Sequence, residues 1–280
     1  MSRRLLIIGL VLFAVVAAAQ FRMRGPQRGS DRGEIPTWEV NPQFKEDVFT
    51  FVRVEYNSGG GRGRGFGGGG WMNDYPNADL NFSWRLHQMT SMEVQPSPPS
   101  MRLTDPRLND YPFLFMNDPR SIQLDDEEVA ALRNYLLNGG FLMIDDFWGN
   151  QMWQHIERQM QVVFPDRKWR SLPADHPIYR LVFPLAGPPQ VPSHDSAHNM
   201  KDAPDPYRTW EYDFSDVQPQ PADFRGYFDD QGRLMMLVCW NTDLSDGWEE
   251  EAFSPWFFEN FSEKFSYPMG INILTYVMTH

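Results

Sequence analysis

Several apolar runs in this sequence end in adjacent side chains able to hold a cation or a polar ligand. The clearest is GGFLMIDDFWG, Gly139 to Gly149, where Phe141 to Ile144 run without a polar break into Asp145 and Asp146. Phe113 to Met116 run into Asn117 and Asp118, Val48 to Tyr56 into Asn57 and Ser58, and Leu234 to Trp240 into Asn241, Thr242 and Asp243. Asn and Asp also end strands merely as turn and cap residues, and Asp146 could cap a following helix. Asp145 needs another reason, because one cap uses one side chain and a second carboxylate adds repulsion that a cation or an arginine would relieve. Two chemistries fit. In the first, Asp145 and Asp146 are the anionic centre of a binding crevice, oriented by Arg85 and walled by Trp148. In the second, one of them joins Asp118 or Asp243 and a histidine such as His176 around a divalent cation that activates water.

Other reactive types carry less. His194 and His198 in PSHDSAHN stand at i, i+4, a spacing that suits a metal only on a helix, and Pro192 and Ser193 beside them predict a loop. Cys239, the single cysteine, lies inside the apolar run LMMLVCW and reads as an inert buried thiol. No G-x-S-x-G or G-x-C-x-G elbow is present, which excludes a standard serine or cysteine hydrolase. Gly63, Gly65 and Gly68 match a dinucleotide fingerprint only because any glycine tract does. Ten tryptophans would allow a sugar-stacking platform, but most such residues are core, leaving Trp71 and Trp248, beside glycine-rich or acidic segments, as surface candidates.

The elements that must position these groups alternate strand and helix. Val48 to Tyr56 reads as a strand with one face apolar and one wetter, carrying Arg53 and Glu55. Gly59 to Gly70 is too glycine-rich for regular structure. Asn77 to Thr90 reads as a helix capped by Asn77. A further helix is announced by Asp125, by Glu128 completing a capping box, and by Leu124 stapled against Val129; Val129, Leu132 and Leu136 form its stripe and Gly139 ends it. Trp148, Met152, Ile156 and Met160 repeat every four residues as the next helix. Phe164 to Asp230 reads as short strands and loops, DDQGR as a hairpin turn, and MGINILTYVMTH as a closing helix. Strands apolar on both faces imply a mostly parallel sheet with helices on both sides, an α/β doubly wound fold in which ligands bind beyond the strand carboxyl ends.

Residues 1–19 combine Arg3 and Arg4, an apolar run and Ala17 to Ala19, the pattern of a secretory signal peptide. Residues 20–46 form an Arg-, Gly- and Pro-rich leader, and one domain covers 47–280. The expected location is secreted or periplasmic. The formal charge of −12 excludes nucleic acid and, after cleavage, anionic membranes as partners. A polar ligand or protein partner fits, and no cofactor is required, although a divalent cation would suit the aspartates.

The runs WMNDYPNADLNFSWRLHQMT, LNDYPFLFMNDP, LRNYLLNGGFLMIDDFWG, VFPDR, NTDLSDGWEE and YPMGINILTYVMT, in that order, resemble the bacterial domain-of-unknown-function family four-one-five-nine. The resemblance covers about Phe49 to the C-terminus. It implies the class I glutamine amidotransferase-like superfamily and hence a flavodoxin-like α/β sandwich. No cysteine follows any strand here, so glutaminase chemistry is not implied. The segments most similar to the family supply the candidate ligand-binding residues Asp74, Tyr75, Arg85, Asn117, Asp145, Asp146, Trp148, Asn241, Asp243 and Trp248, with Asp145, Asp146 and His176 as metal candidates.

Overall fold

The computed structural model describes residues 35–45, 47–57, 70–202, 221–249, 251 and 254–280. The signal-like segment, the leader to residue 34, nearly all of the glycine tract and Ser58 lie outside them. The described strands are β1 (Val52–Glu55), β2 (Ser100–Arg102), β3 (Phe113–Asn117), β4 (Phe141–Phe147), β5 (Arg170–Ser171), β6 (Asp223–Phe228) and β7 (Leu234–Trp240). They form one seven-stranded sheet in the order β2-β1-β3-β4-β7-β6-β5. The first five in that order are parallel, while β6 and β5 form an antiparallel ribbon on the β7 edge. Counted among themselves, the parallel strands follow the order 2-1-3-4-5, the flavodoxin-like winding, which reverses between β1 and β3.

Helices cover both faces, as the fully apolar strands require. One face packs Phe51, Phe113, Phe115 and Met143 against α1 (Asn77–Met89) and the C-terminal helix; the other packs Val52, Leu114, Met116 and Ile144 against α2 (Asp126–Leu137) and α3 (Gly149–Val163). The alternation along each strand sends successive residues to opposite cores. The capping box of α2 forms as expected, with Glu128 N donating to Asp125 Oδ1 and Asp125 N to Glu128 Oε2. Gly139 has φ 106° and ends α2. The chain continues through α4 (His194–Met200) and α5 (Asp246–Glu249), then a π-helical run Phe258–Ser266 into α6 (Tyr267–Thr279). Gly270 in α6 lets it close on α1, since a Cβ there would lie 2.5 Å from the Phe82 ring. Among the described residues no helix is long and apolar enough to cross a membrane.

Three local expectations are corrected. Asn77 does not cap α1: Pro76 holds the N-cap position without a side-chain bond, and Ala78 N donates to the Asp74 carbonyl instead. The wetter face of β1 is not wet, because Arg53 is fully buried beside Asp79. His194 to His198 form a helix rather than a loop, since Ser193 Oγ accepts from Ser196 N and starts it. Trp38 packs on α1 as well, stacking on His87 at 4.6 Å and donating from Nε1 to the Val94 carbonyl.

Candidate functional site

Asp145 and Asp146 are not the start of a helix. They are the fifth and sixth residues of β4, and at this point the strand carries one extra residue: Ile144 pairs with Val238, whereas Phe147 pairs with Trp240. Such a bulge re-aims side chains, and Asp146 takes φ 57°. At the start of α3, Asn241 Oδ1 accepts from Gly149 N at 2.8 Å. Among the described residues, the four non-glycine positions with positive φ are Asp74, Asp118, Asp146 and Asn241. Asp118, Asp146 and Asn241 stand at the carboxyl ends of β3, β4 and β7, and Asp74 meets them there. Each left-handed residue costs on the order of 1 kcal/mol, and strain gathered at one edge marks a site rather than a set of turns.

The expected convergence of strand ends is present for β3, β4 and β7. Ser245 joins them. Its N donates to Asp145 Oδ2 at 2.9 Å, while its Oγ lies 2.9 Å from Asp74 Oδ2, 2.9 Å from Asn117 Oδ1 and 3.0 Å from Asp243 Oδ1. Asn117 Nδ2 donates to Asp74 Oδ2 and to the Asn73 carbonyl, and Asn73 Nδ2 donates to Asp146 Oδ2 at 2.9 Å. Asp246 N donates to Asp243 Oδ1 at 2.8 Å. Asp74, Asp145, Asp146 and Asp243 are all buried, between 0% and 7% exposed.

The contacts around Ser245 Oγ do not balance without added positive charge. A serine hydroxyl donates one proton, yet three acceptor oxygens surround it. Asn117 cannot supply the difference, because its amide protons are committed elsewhere and only its oxygen faces the hydroxyl. Either Asp74 or Asp243 carries a proton, or a cation sits among them. Asp145 Oδ1 is buried with no hydrogen-bond partner, a further unmet acceptor. The titration behaviour agrees in direction. Burial pushes the Asp145 carboxyl up to about 8. Burial, then the neighbouring Asp146 and Asp246 carboxylates, hold Asp243 well above the usual range, and burial raises Asp74. Among the described residues, none of Asp74, Asp145 and Asp243 forms an ion pair with a basic side chain.

Arg53, not Arg85, is the arginine that acts on Asp74. Arg53 pairs with Asp79 and donates from Nη1 to the Asn73 carbonyl at 3.1 Å, so it fixes the segment that presents Asn73 and Asp74. Arg85 instead pairs with Glu251 at 2.7 Å and lies over the Phe258 and Tyr267 rings. Trp248, expected at the surface, is fully buried against Phe82 and Phe115 because its helix packs between the sheet and α1. Trp148 is the N-cap residue of α3, and Tyr75 lies half-buried over Arg53. Asp118 pairs with Arg120 and accepts from Gly70 N. Asn57 faces Glu128 at the start of α2. His176 starts the turn Pro177–Tyr179 and packs on Tyr276 near the end of α6. Cys239 is buried and its thiol is pushed up by burial. Sequence reasoning missed Arg53, Asn73, Asp79 and Ser245. Only Arg53 carried a signal, a charge set between Val52 and Val54 in a strand.

Among the described residues, two sets of carboxylates bring ligand atoms within 4.8 Å of one another: Asp74, Asp146 and Asp243, and Asp74, Asp246 and Glu249. Neither includes a histidine, and an all-oxygen donor set suits hard cations such as Mg²⁺, Mn²⁺ or Ca²⁺ over Zn²⁺. Compared with known protein families, residues 50–278 match the family described as Domain of unknown function (DUF4159). No curated protein matches the chain.

Proposed function

The chain therefore belongs to the DUF4159 family, and we propose that its domain is an exported binding module whose carboxyl-edge crevice takes up a cation among Asp74, Asp145, Asp146 and Asp243. The observation that carries this reading is the proton deficit around Ser245 Oγ. Four carboxylates are held together by amides and one hydroxyl, and a bound cation relieves the repulsion that burial amplifies. The flavodoxin-like order of the parallel strands supports the amidotransferase-like relationship as part of the same reading. Hydrolysis is the rival use of such a cation. The hydrolytic reading called for a histidine beside the aspartates, and the carboxylate sets contain none, so binding is the reading preferred.

Thermal unfolding of the EDTA-treated protein tests it, with Mg²⁺, Ca²⁺, Mn²⁺, Zn²⁺ and the organic cation spermidine added in turn. A ligand at a hundred times its Kd adds about 2.7 kcal/mol, which at roughly 2–4 °C per kcal/mol is a readable rise in midpoint. At least one cation should produce it, and Asp145→Asn should reduce it while leaving the cation-free protein at least as stable. A parent protein that no cation stabilises would overturn the reading.

A further inference from the structure

We infer that the crevice holds two hard divalent cations that share Asp74 as a common ligand. The inference rests on the cation-binding reading above and specifies its occupant. Both carboxylate sets contain Asp74. A carboxylate has two oxygens and can give one to each of two ions, and ions joined in this way lie about 3.5–4 Å apart. The inner ion, among Asp74, Asp146 and Asp243, is enclosed by buried side chains, and Asp145 Oδ1 lies in the same cluster as a buried oxygen with no protein partner. The deficit around Ser245 Oγ involves Asp74 and Asp243, two of the three ligands of this ion.

The outer ion differs. Its ligands besides Asp74 come from α5, where Asp246 is anchored by His194 N donating to Oδ2 at 2.5 Å and Glu249 is only half-buried. Hard cations take six to eight oxygens, more than either set supplies. The inner ion, among buried ligands only, is therefore the tighter and the outer one, with half-buried Glu249, the more exchangeable.

Equilibrium dialysis of the EDTA-treated protein against Mn²⁺, read by metal analysis and by electron paramagnetic resonance, tests the pair. Two ions per chain are expected, with the spectrum of a magnetically coupled pair at saturation. Asp246→Asn and, independently, Glu249→Gln should each leave one ion, and Asp74→Asn should reduce binding at both positions. Near-ultraviolet circular dichroism matching the parent shows that a variant is folded. Saturation at one uncoupled ion overturns the shared pair and leaves the cation-binding reading standing. No bound Mn²⁺ overturns the pair, and if spermidine and the other cations also fail to stabilise the protein, the reading falls with it.

Discussion

Replacing Arg53 by methionine should lower the unfolding free energy by about 3–5 kcal/mol, the cost of leaving one partner of a buried ion pair alone. At roughly 2–4 °C per kcal/mol, the thermal midpoint should fall by several degrees to about 20 °C. The reason is specific to this site. Arg53 and Asp79 are both 0% exposed and face each other through two guanidinium nitrogens. Burial outweighs the attraction for Asp79, whose carboxyl is raised even with Arg53 beside it, so without the arginine it must take up a proton or draw in water. Arg53→Met also frees the Trp71 and Asn73 carbonyls, so cation binding should weaken along with stability. The double variant Arg53→Met with Asp79→Leu should recover much of the stability, because two apolar groups of similar volume replace a buried pair at little cost. It should not recover the binding. A single variant as stable as the parent would show that the pair does not organise this edge.

Stripped of divalent cations, the protein should lose stability as the pH rises from about 5 to 8. The Asp145 carboxyl titrates near 8 in the folded protein and at 3.8 when unfolded. Between those values the folded state holds a proton the unfolded chain has released, so each such group lowers stability by about 1.4 kcal/mol per pH unit. Its contribution is complete below the unfolded value and is lost as the pH passes through the folded one. Asp74, Asp118 and Asp243 are raised by burial and act in the same direction. His176, lowered by burial, acts oppositely, but it is a single group against several. Asp105, lowered to about 2 by Arg107, contributes only in acid. Urea unfolding at successive pH values with EDTA present should show the decline, and saturating cation should flatten it. Stability that stays level or rises over this range without cation would contradict the charge assignment.

The architecture was legible because it is written in local signals. The capping box at Asp125 and Glu128, the apolar run Phe141 to Ile144 and the turn Asp229 to Arg233 each specify their own element, and alternating strands and helices then leave few windings. The convergence of strand ends was legible for the same reason: once β3, β4 and β7 are parallel, Asn117, Asp145, Asp146 and Asn241 must share an edge. What holds that edge together was not. Arg53 looked like a solvated residue of a one-sided strand, because its partner Asp79 lies beyond a glycine tract and nothing local links the two. The family resemblance points to Arg85, but six residues of α1, more than one and a half turns, separate it from Asp79, the residue of that helix that meets Arg53. Ser245, the junction of the cluster, sits in a segment, NTDLSDGWEE, whose acidic residues drew attention away from its hydroxyl. Trp248 in the same segment was read as exposed from those charges, whereas the helix turns its ring into the core.

The most direct measurement of the central claim counts protons released when the EDTA-treated protein binds a divalent cation at neutral pH, in lightly buffered solution. Carboxyls held protonated by burial must surrender protons to a cation that replaces them. Release should therefore accompany binding at neutral pH and should fall in the Asp145→Asn and Asp243→Asn variants. Binding without proton release would place the cation on ordinary surface carboxylates, and would contradict a crevice built from buried ones.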